Sequence, residues 1–497
     1  MRWQRGGRGR SARVATSLPP ASTGQHVPGP MNVFEKIGFG AGAIAFGVKE
    51  TGFSFFLLLF YNQVLGLPAS WVGAALMTAL LVDAVIDPSI GSLSDRWRSR
   101  WGRRHPFMYA AALPAALTYF LLWNPPAQLH GAGLAAYLLV MTVLVRGFIA
   151  LYEVPSTALV PELTRNYDER TSLFAYRSLM GWASGIVVAV LAYAVYLRPT
   201  AAQPFGVLNR DGYSGFALTG SGLIFASIVI SALVTHRRIV ATQSDTVIVQ
   251  DRSIGRRLRQ LLDTVSYRPI LMLFMAGMAS GLSFGLASAL NVYMFTYLWG
   301  LDNAQMSMLT MGSFCGAILA FAVAPRLSRR LEKRNAAVVS GLLYVIASAA
   351  PVLLHLEGLF PDVSSPVGFL VLTGTFLLST LALSSMTMLV SSMLADTTEE
   401  TELRTGHRQE GIVFSLNLLV QKSMSGAGVF GAGLVLSLIR FPEQGSANNV
   451  TPDIVNSLGA VFAAVQILSF GLAVGFLTQL KLSRARHQAN LEALQEK

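Results

Sequence analysis

The sequence predicts an all-α integral membrane protein of about twelve transmembrane helices in two six-helix bundles, and three observations carry that prediction. Charged residues make up only 13% of the 497, half of the ~25% usual in soluble domains, while 53% are hydrophobic and the mean hydropathy is +0.51. The apolar residues fall in runs such as SFFLLLF, FMYAAALPAALTYFLLW and GLAAYLLVMTVLV, inside stretches able to cross a ~30 Å hydrocarbon layer as ~20 helical residues. Finally, the loops alternate in charge. Arg96, Arg98, Arg100, Arg103 and Arg104, then His236–Arg238, Arg252–Arg259, Arg326–Arg334 and Lys481–Arg486, are basic, whereas NPPAQLH, LDNAQ, LEGLFPDVSS and PEQGSANNVTPD contain no Lys or Arg. By the positive-inside rule both chain ends are expected in the cytoplasm of a cell that carries the protein in its inner membrane.

The spans are expected near 36–62, 70–94, 106–124, 132–160, 172–197, 216–236, 268–298, 304–325, 336–356, 366–395, 411–440 and 456–480. Most connections are short. The exception follows the sixth span, a polar basic stretch that divides the chain into a bundle at 31–236, a cytoplasmic loop at 237–266 and a bundle at 267–480. Residues 1–30, with five arginines and no acid, read as a disordered basic tail; they lack the apolar core of a signal peptide, and Met31 offers a second start. Residues 481–497 read as a cytoplasmic tail. Gly38, Gly40, Gly42 and Gly47 mark span 1 for close helix packing, and the GxGxxG at Gly426–Gly431 reads the same way, because no strand precedes it. Cys315, the single cysteine, is expected to pack in an apolar run.

Eight ionisable residues fall inside spans: Glu50, Asp83, Asp87 and Glu153, with Lys49, Arg146, Arg177 and Lys422. Each costs ~2.5–3.5 kcal/mol at a helix centre, so eight unpaired would cost on the order of 20 kcal/mol, more than the whole stability of an ordinary protein. They are expected to share one polar cavity. Asp83 and Asp87 lie one turn apart on one helix face, where two ionised carboxylates repel unless a cation or a shared proton relieves them. The alternative is that each pairs with a base such as Arg146 or Lys422. Pro88 is expected to free the Ala84 carbonyl as a further oxygen ligand. Arg146 and Glu153 share a face of span 4, and Arg177 either enters the cavity or snorkels to the interface.

Two motifs then carry a resemblance. Asp83-Ala-Val-Ile-Asp87-Pro88-Ser-Ile-Gly91-Ser-Leu-Ser-Asp95-Arg96, followed by Trp101-Gly102-Arg103-Arg104-His-Pro106, resembles the helix 2–3 signature of the glycoside–pentoside–hexuronide:cation symporters, a melibiose-permease-like branch of the major facilitator superfamily. Tyr152-Glu153-Val154-Pro155 resembles that family's helix 4 motif, and Lys49-Glu50, Arg177 and Lys422 match its charged positions on helices 1, 5 and 11. The resemblance implies cation-coupled symport of a sugar, glycoside or sugar acid by alternating access. It implies a coupling cation at Asp83 and Asp87, and substrate at Glu50, Tyr152, Glu153 and Arg177 with Lys49 beside them. Arg146 and Lys422 would couple the bundles, and Gly91, Asp95, Arg96, Arg103 and Arg104 would brace the cytoplasmic side.

Where sodium-using sugar members of that family carry an Asn and a hydroxyl, this chain has Ile86 and Ala150, so H⁺ is favoured over Na⁺; if Na⁺ were the ion, Asp83 and Asp87 would be its ligands. Ser156 and Thr157 stand where those members place a Trp for sugar stacking. Phe53, Phe56, Tyr152, Tyr176, Tyr293 and Tyr297 are the aromatic substitutes available. A cofactor, nucleic acid and enzymatic chemistry are not expected: the basic residues sit between spans, and no histidine forms HxxxH or HExxH. The expected partners are a small-molecule solute and the bilayer, with the protein a monomer.

Overall fold

The computed structural model describes residues 30–164, 166–201, 203–241, 267–405, 410–444 and 450–480. The expected N-terminal tail apart from its last residue, most of the central loop and the C-terminal tail lie outside them.

Eleven helices have the length and apolarity to cross a membrane. They are α1 (Val33–Val64), α2 (Ala69–Arg96), α3 (His105–Trp123), α4 (Gly131–Leu163), α5 (Tyr167–Leu191), α6 (Arg210–Ala241), α7 (Arg268–Leu298), one helix over Asn303–Leu356, α10 (Pro366–Thr405), α11 (Glu410–Leu438) and α12 (Pro452–Thr478). The 54-residue helix is two crossings. At ~1.5 Å per residue it would run about 80 Å against a ~30 Å hydrocarbon layer, and it breaks at Glu332, whose φ of 64° and ψ of 157° suit glycine rather than a branched-out side chain. Its legs are α8 (303–331) and α9 (333–356). The ten single helices and these two legs give twelve crossings among the described residues.

Several ends differ from the expected ones. α6 starts at Arg210, where Asn209 caps the first turn through the Asp211 N–H, and it runs on through Ala241, into the stretch expected as loop. α10 continues ten residues past the expected stop at 395, through the polar ADTTEETELRT. Hydropathy sees only the lipid-facing part of a helix, so polar turns beyond the bilayer were invisible to it. Pro88 does not open α2, which stays helical from Ala69 to Arg96. Cys315 is exposed on α8 rather than packed.

Packing between helices repeats with a period of six. In the first half α1 packs on α5 and α6, α2 on α4, and α3 on α4 and α6; in the second, α7 packs on α11 and α12, α8 on α10, and α9 on α10 and α12. Across the halves α2 meets α11 and α5 meets α8, which exchange under the same rule, while α1 meets α7. This is the arrangement of a parallel repeat with an axis along the membrane normal. Glycines permit the close approaches: a Cβ at Gly42 would collide with the Tyr152 hydroxyl, and one at Gly47 with the Gly181 carbonyl of α5.

Candidate functional site

The eight interior charges do converge, and three ion pairs form among them. Arg146 Nε donates to Asp83 Oδ2 at 2.5 Å, joining α4 to α2. Lys49 Nζ lies 3.0 Å from Glu50 Oε2 on α1 and 4.7 Å from the centre of the Phe46 ring. Arg177 Nη2 of α5 lies 3.8 Å from Glu153 Oε1 of α4. Arg177 is buried inside the bundle, so it does not snorkel.

Asp87 and Lys422 are left over. Neither makes an ion pair within 4.0 Å among the described residues. The charged neighbours of Asp87 are nevertheless Lys422, Asp83, Glu153 and Arg146, and Lys422 also acts on Glu50. One acid of the first half thus faces the only interior base of the second without touching it.

Two further features mark the site as incompletely satisfied. Asp83 Oδ1 is buried without a hydrogen-bond partner, a state that costs ~1–3 kcal/mol or more for a charged group. The Glu153–Arg177 separation of 3.8 Å is beyond hydrogen-bond length, so charge alone holds that carboxylate and an incoming hydroxyl can take it. Glu50 is half satisfied: Ser54 Oγ donates to its Oε1 at 3.2 Å. Phe53 supplies apolar wall, its ring centre 5.9 Å from the Arg146 guanidinium.

Tyr152 stands behind the cluster. It is fully buried, and its hydroxyl donates to Ser231 Oγ of α6 at 2.8 Å and accepts from Ser156 Oγ at 3.3 Å. Ser156 in turn accepts from Arg177 Nη1 at 2.9 Å. Tyr152 therefore holds Arg177 in place through Ser156. Of the other aromatics, Phe56 packs against Tyr193 and Phe216 inside the first bundle.

The cluster sits where a seam between the halves ends. From the end without basic loops, Gly433 lies on the Ala69 carbonyl, Gly73 on the backbone of Phe430 and Gly426 on Leu80. Asp83 and Lys422 follow within about one turn, and Asp87 about two turns on from Leu80. The seam is capped at its far end by side chains that cross between halves. Tyr293 donates to Asn62 Oδ1 at 3.0 Å, Tyr297 to Gln63 Oε1 at 2.9 Å, and Gln63 Nε2 to the Pro442 carbonyl at 2.8 Å. Asn303 of α8 donates to the Tyr193 and Leu197 carbonyls at the end of α5. The final turns here, Gly52–Phe56, Phe60–Val64, Ala192–Tyr196 and Met294–Leu298, are π-helical, a form concentrated at functional sites.

The basic end is built differently. Arg103 Nη2 and Arg104 Nη1 both lie on Glu162 Oε1, at 2.7 and 3.1 Å, and Arg104 Nη2 lies 3.0 Å from Asp95 Oδ1. Lys333 grips both oxygens of Asp396 at 2.8 and 2.7 Å. Each of these braces joins residues of one half. Arg96 is exposed, and Gly91 leaves room for Val154 of α4 at 3.6 Å from a built Cβ. Among the described residues, the side-chain bridges between the halves named above lie at the end opposite the basic loops.

That geometry sets one expectation. Any side chain at Gly433 meets backbone, so Gly433→Val should prise the seam apart and shift the protein toward the state open at the other end. A cysteine placed beside Asn62 should then react with an impermeant thiol reagent about tenfold faster, a shift of ~1.4 kcal/mol in the equilibrium. Unchanged labelling would mean that the seam is not what closes that end.

The family model described as "MFS/sugar transport protein" matches residues 38–484, most of the chain. The chain belongs to this family. A symporter of Synechocystis sp. is 26% identical over 93% of this chain and 96% of its own length, and the isoprimeverose transporter of Lactiplantibacillus pentosus is 26% identical over 87% and 85%. Among solved structures the nucleoside transporter NupG superposes with a TM-score of 0.63 at 13% identity, covering 91% of this chain and all of that one, which establishes the fold. This MFS protein is accordingly a polytopic membrane protein with the fold of a secondary transporter.

The eight interior charges named from sequence were thus brought together, with Tyr152 behind them, while Gly91, Asp95, Arg96, Arg103 and Arg104 lie at the basic end and Tyr293 and Tyr297 at the opposite one. What sequence reasoning missed are the hydroxyls Ser54, Ser156 and Ser231, the carboxylate of Glu162 and the crossing amides Asn62 and Gln63. Only Glu162 carried a signal, an acid in the VPEL turn opposite an arginine-rich loop.

Proposed function

We propose that this MFS protein is a secondary active transporter that moves a small solute, a sugar, glycoside or sugar acid, together with a proton by alternating access. The reading rests on one observation: three interior acids have basic partners, and the fourth, Asp87, faces Lys422 across the halves with no direct pair.

The mechanism follows from those charges. With Asp87 ionised, its attraction to Lys422 draws α11 toward α2. A proton on Asp87 removes that attraction, and the solute supplies its replacement by donating hydroxyls to Glu153 and Glu50 while accepting from Arg177 and Lys49. Only the doubly loaded or the empty protein then has partners for its polar and charged groups good enough to close around the site. The donor set favours H⁺ over Na⁺. One oxygen of Asp83 is already held by Arg146, and Ile86 packs carbon toward Gly147 at 3.7 Å from a built Cβ, where a sodium ion would need oxygen.

In this reading the basic loops, by the positive-inside rule, support both chain ends on the cytoplasmic side of an inner membrane. Transport rather than catalysis is the activity, and a single chain contains every residue of the cluster, in keeping with a monomer. Substrate uptake by cells or vesicles separates the coupling ions. A protonophore should stop accumulation at constant Na⁺, and removal of Na⁺ should leave it intact; the reverse pattern would assign the site to sodium. Efflux driven by an inward proton gradient would instead make the protein an exporter.

A further inference from the structure

A cleft of about 420 Å³ opens on the outside of the first bundle at its basic end, lined by Trp101, Tyr109, Leu233 and His236. It is remote from the charged cluster in chemistry as well as place, since its walls are mostly apolar. Trp101 from the loop after α2 is 46% exposed and Leu233 of α6 is 57% exposed, so the cleft faces outward. Its rings form a connected row: Trp101 meets Tyr109 edge-on at 6.0 Å, Tyr109 meets His236 at 5.7 Å, and His236 meets His105 at 4.9 Å.

Arg100 stands at the rim, and two buried imidazoles lie behind the slot. The Arg100 guanidinium lies 5.7 Å from the Trp101 ring. Its neighbours Arg103 and Arg104 are committed to Glu162 and Asp95, but Arg100 makes no ion pair among the described residues. His236 Nδ1 has no hydrogen-bond partner. His105 Nε2 is engaged with Thr235 Oγ1 at 3.0 Å, and its Nδ1 is also unpartnered. An apolar slot with an unclaimed guanidinium beside it, at the level where Trp and Tyr mark the membrane interface, suits a molecule with an apolar chain and an anionic head.

We propose that this cleft binds one anionic phospholipid, its acyl chain along Leu233 and Tyr109 and its phosphate on Arg100. The size fits, because ligand sites run ~300–1,000 Å³. The charge complement distinguishes it from the surrounding lipid shell, which needs no headgroup preference. Bound there, the lipid would tie the loop after α2 to α3 and α6, the ends that carry the Arg103–Arg104–Glu162 brace.

Native mass spectrometry of the full chain in detergent tests this, with phosphatidylglycerol and phosphatidylcholine of the same acyl chains. The wild type should retain phosphatidylglycerol about fivefold over phosphatidylcholine, the share of one basic residue near an anionic headgroup. Arg100→Gln should bring that ratio to about one, and Leu233→Trp, which fills the slot, should lower retention of both lipids. Solute counterflow should be unchanged in both variants, showing that they fold. Equal retention of the two lipids by the wild type overturns the proposal, as does a preference that survives both substitutions. Displacement of the lipid by inorganic phosphate alone would assign the rim to a free anion and overturn it too.

Discussion

Asp87→Asn is expected to abolish accumulation of solute against its gradient while leaving exchange of labelled for unlabelled solute in place. The amide keeps the shape of a protonated carboxyl and donates and accepts as one, but it cannot release a proton. The variant is therefore fixed in the state that binds solute and cannot return charge-balanced and empty. One proton moving through ~100 mV supplies ~2.3 kcal/mol, enough for about fiftyfold accumulation at tenfold per ~1.4 kcal/mol. The accumulation ratio should fall from that order to about one. Counterflow in proteoliposomes is the control, because it needs only the loaded transit. If the variant still concentrates solute, the proton resides elsewhere, and Asp83 Oδ1, buried and unpartnered, is the next place to look.

The second large effect is on stability and concerns Arg146. Among the described residues its guanidinium is the one group hydrogen-bonded to Asp83, from 63 residues away. Arg146→Met leaves a carboxylate buried among apolar helices, and breaking a buried pair from one side costs ~3–5 kcal/mol. The variant should unfold well below the wild type in detergent or fail to accumulate in the membrane. Adding Asp83→Asn removes the orphaned charge and should recover most of the loss, since replacing both partners of a buried pair is often near neutral. Thermal unfolding of the two single variants and the double variant gives the coupling directly. Additive losses, with no recovery in the double variant, would mean the pair is incidental to the fold.

Much of the fold could be read from the chain because lipid imposes a simple rule: apolar runs of crossing length, with arginines on one side. The rule fails where a helix leaves the bilayer, hence the polar turns of α10 past residue 395 and the single helix that bends at Glu332 to become α8 and α9. The site was legible to the same degree. Charges in an apolar run are conspicuous, so all eight were found, and their convergence followed from their cost. Their pairing was not legible. Asp83 had Arg146 and Lys422 as candidates, and only the packing of α2 on α4 decides between them. Hydroxyls were harder still. Ser156 and Ser231 look like any membrane serine, yet with Tyr152 they set the position of Arg177. Pro88 does not interrupt α2, because a helix of this length can lose one hydrogen bond and remain helical through it.

The balance of four interior acids against four interior bases has an electrical consequence. With every group ionised the mobile core sums to zero, so the empty protein crosses the membrane field as a neutral body. Loaded with a proton and an uncharged solute, the same core carries one positive charge. With a proton as the coupling ion, as proposed, the membrane potential would pull on the loaded transit and be blind to the return. Hyperpolarisation should speed uptake until the return limits turnover, after which further voltage does nothing. With a singly negative solute the loaded core would be neutral as well, and the cycle would generate no current.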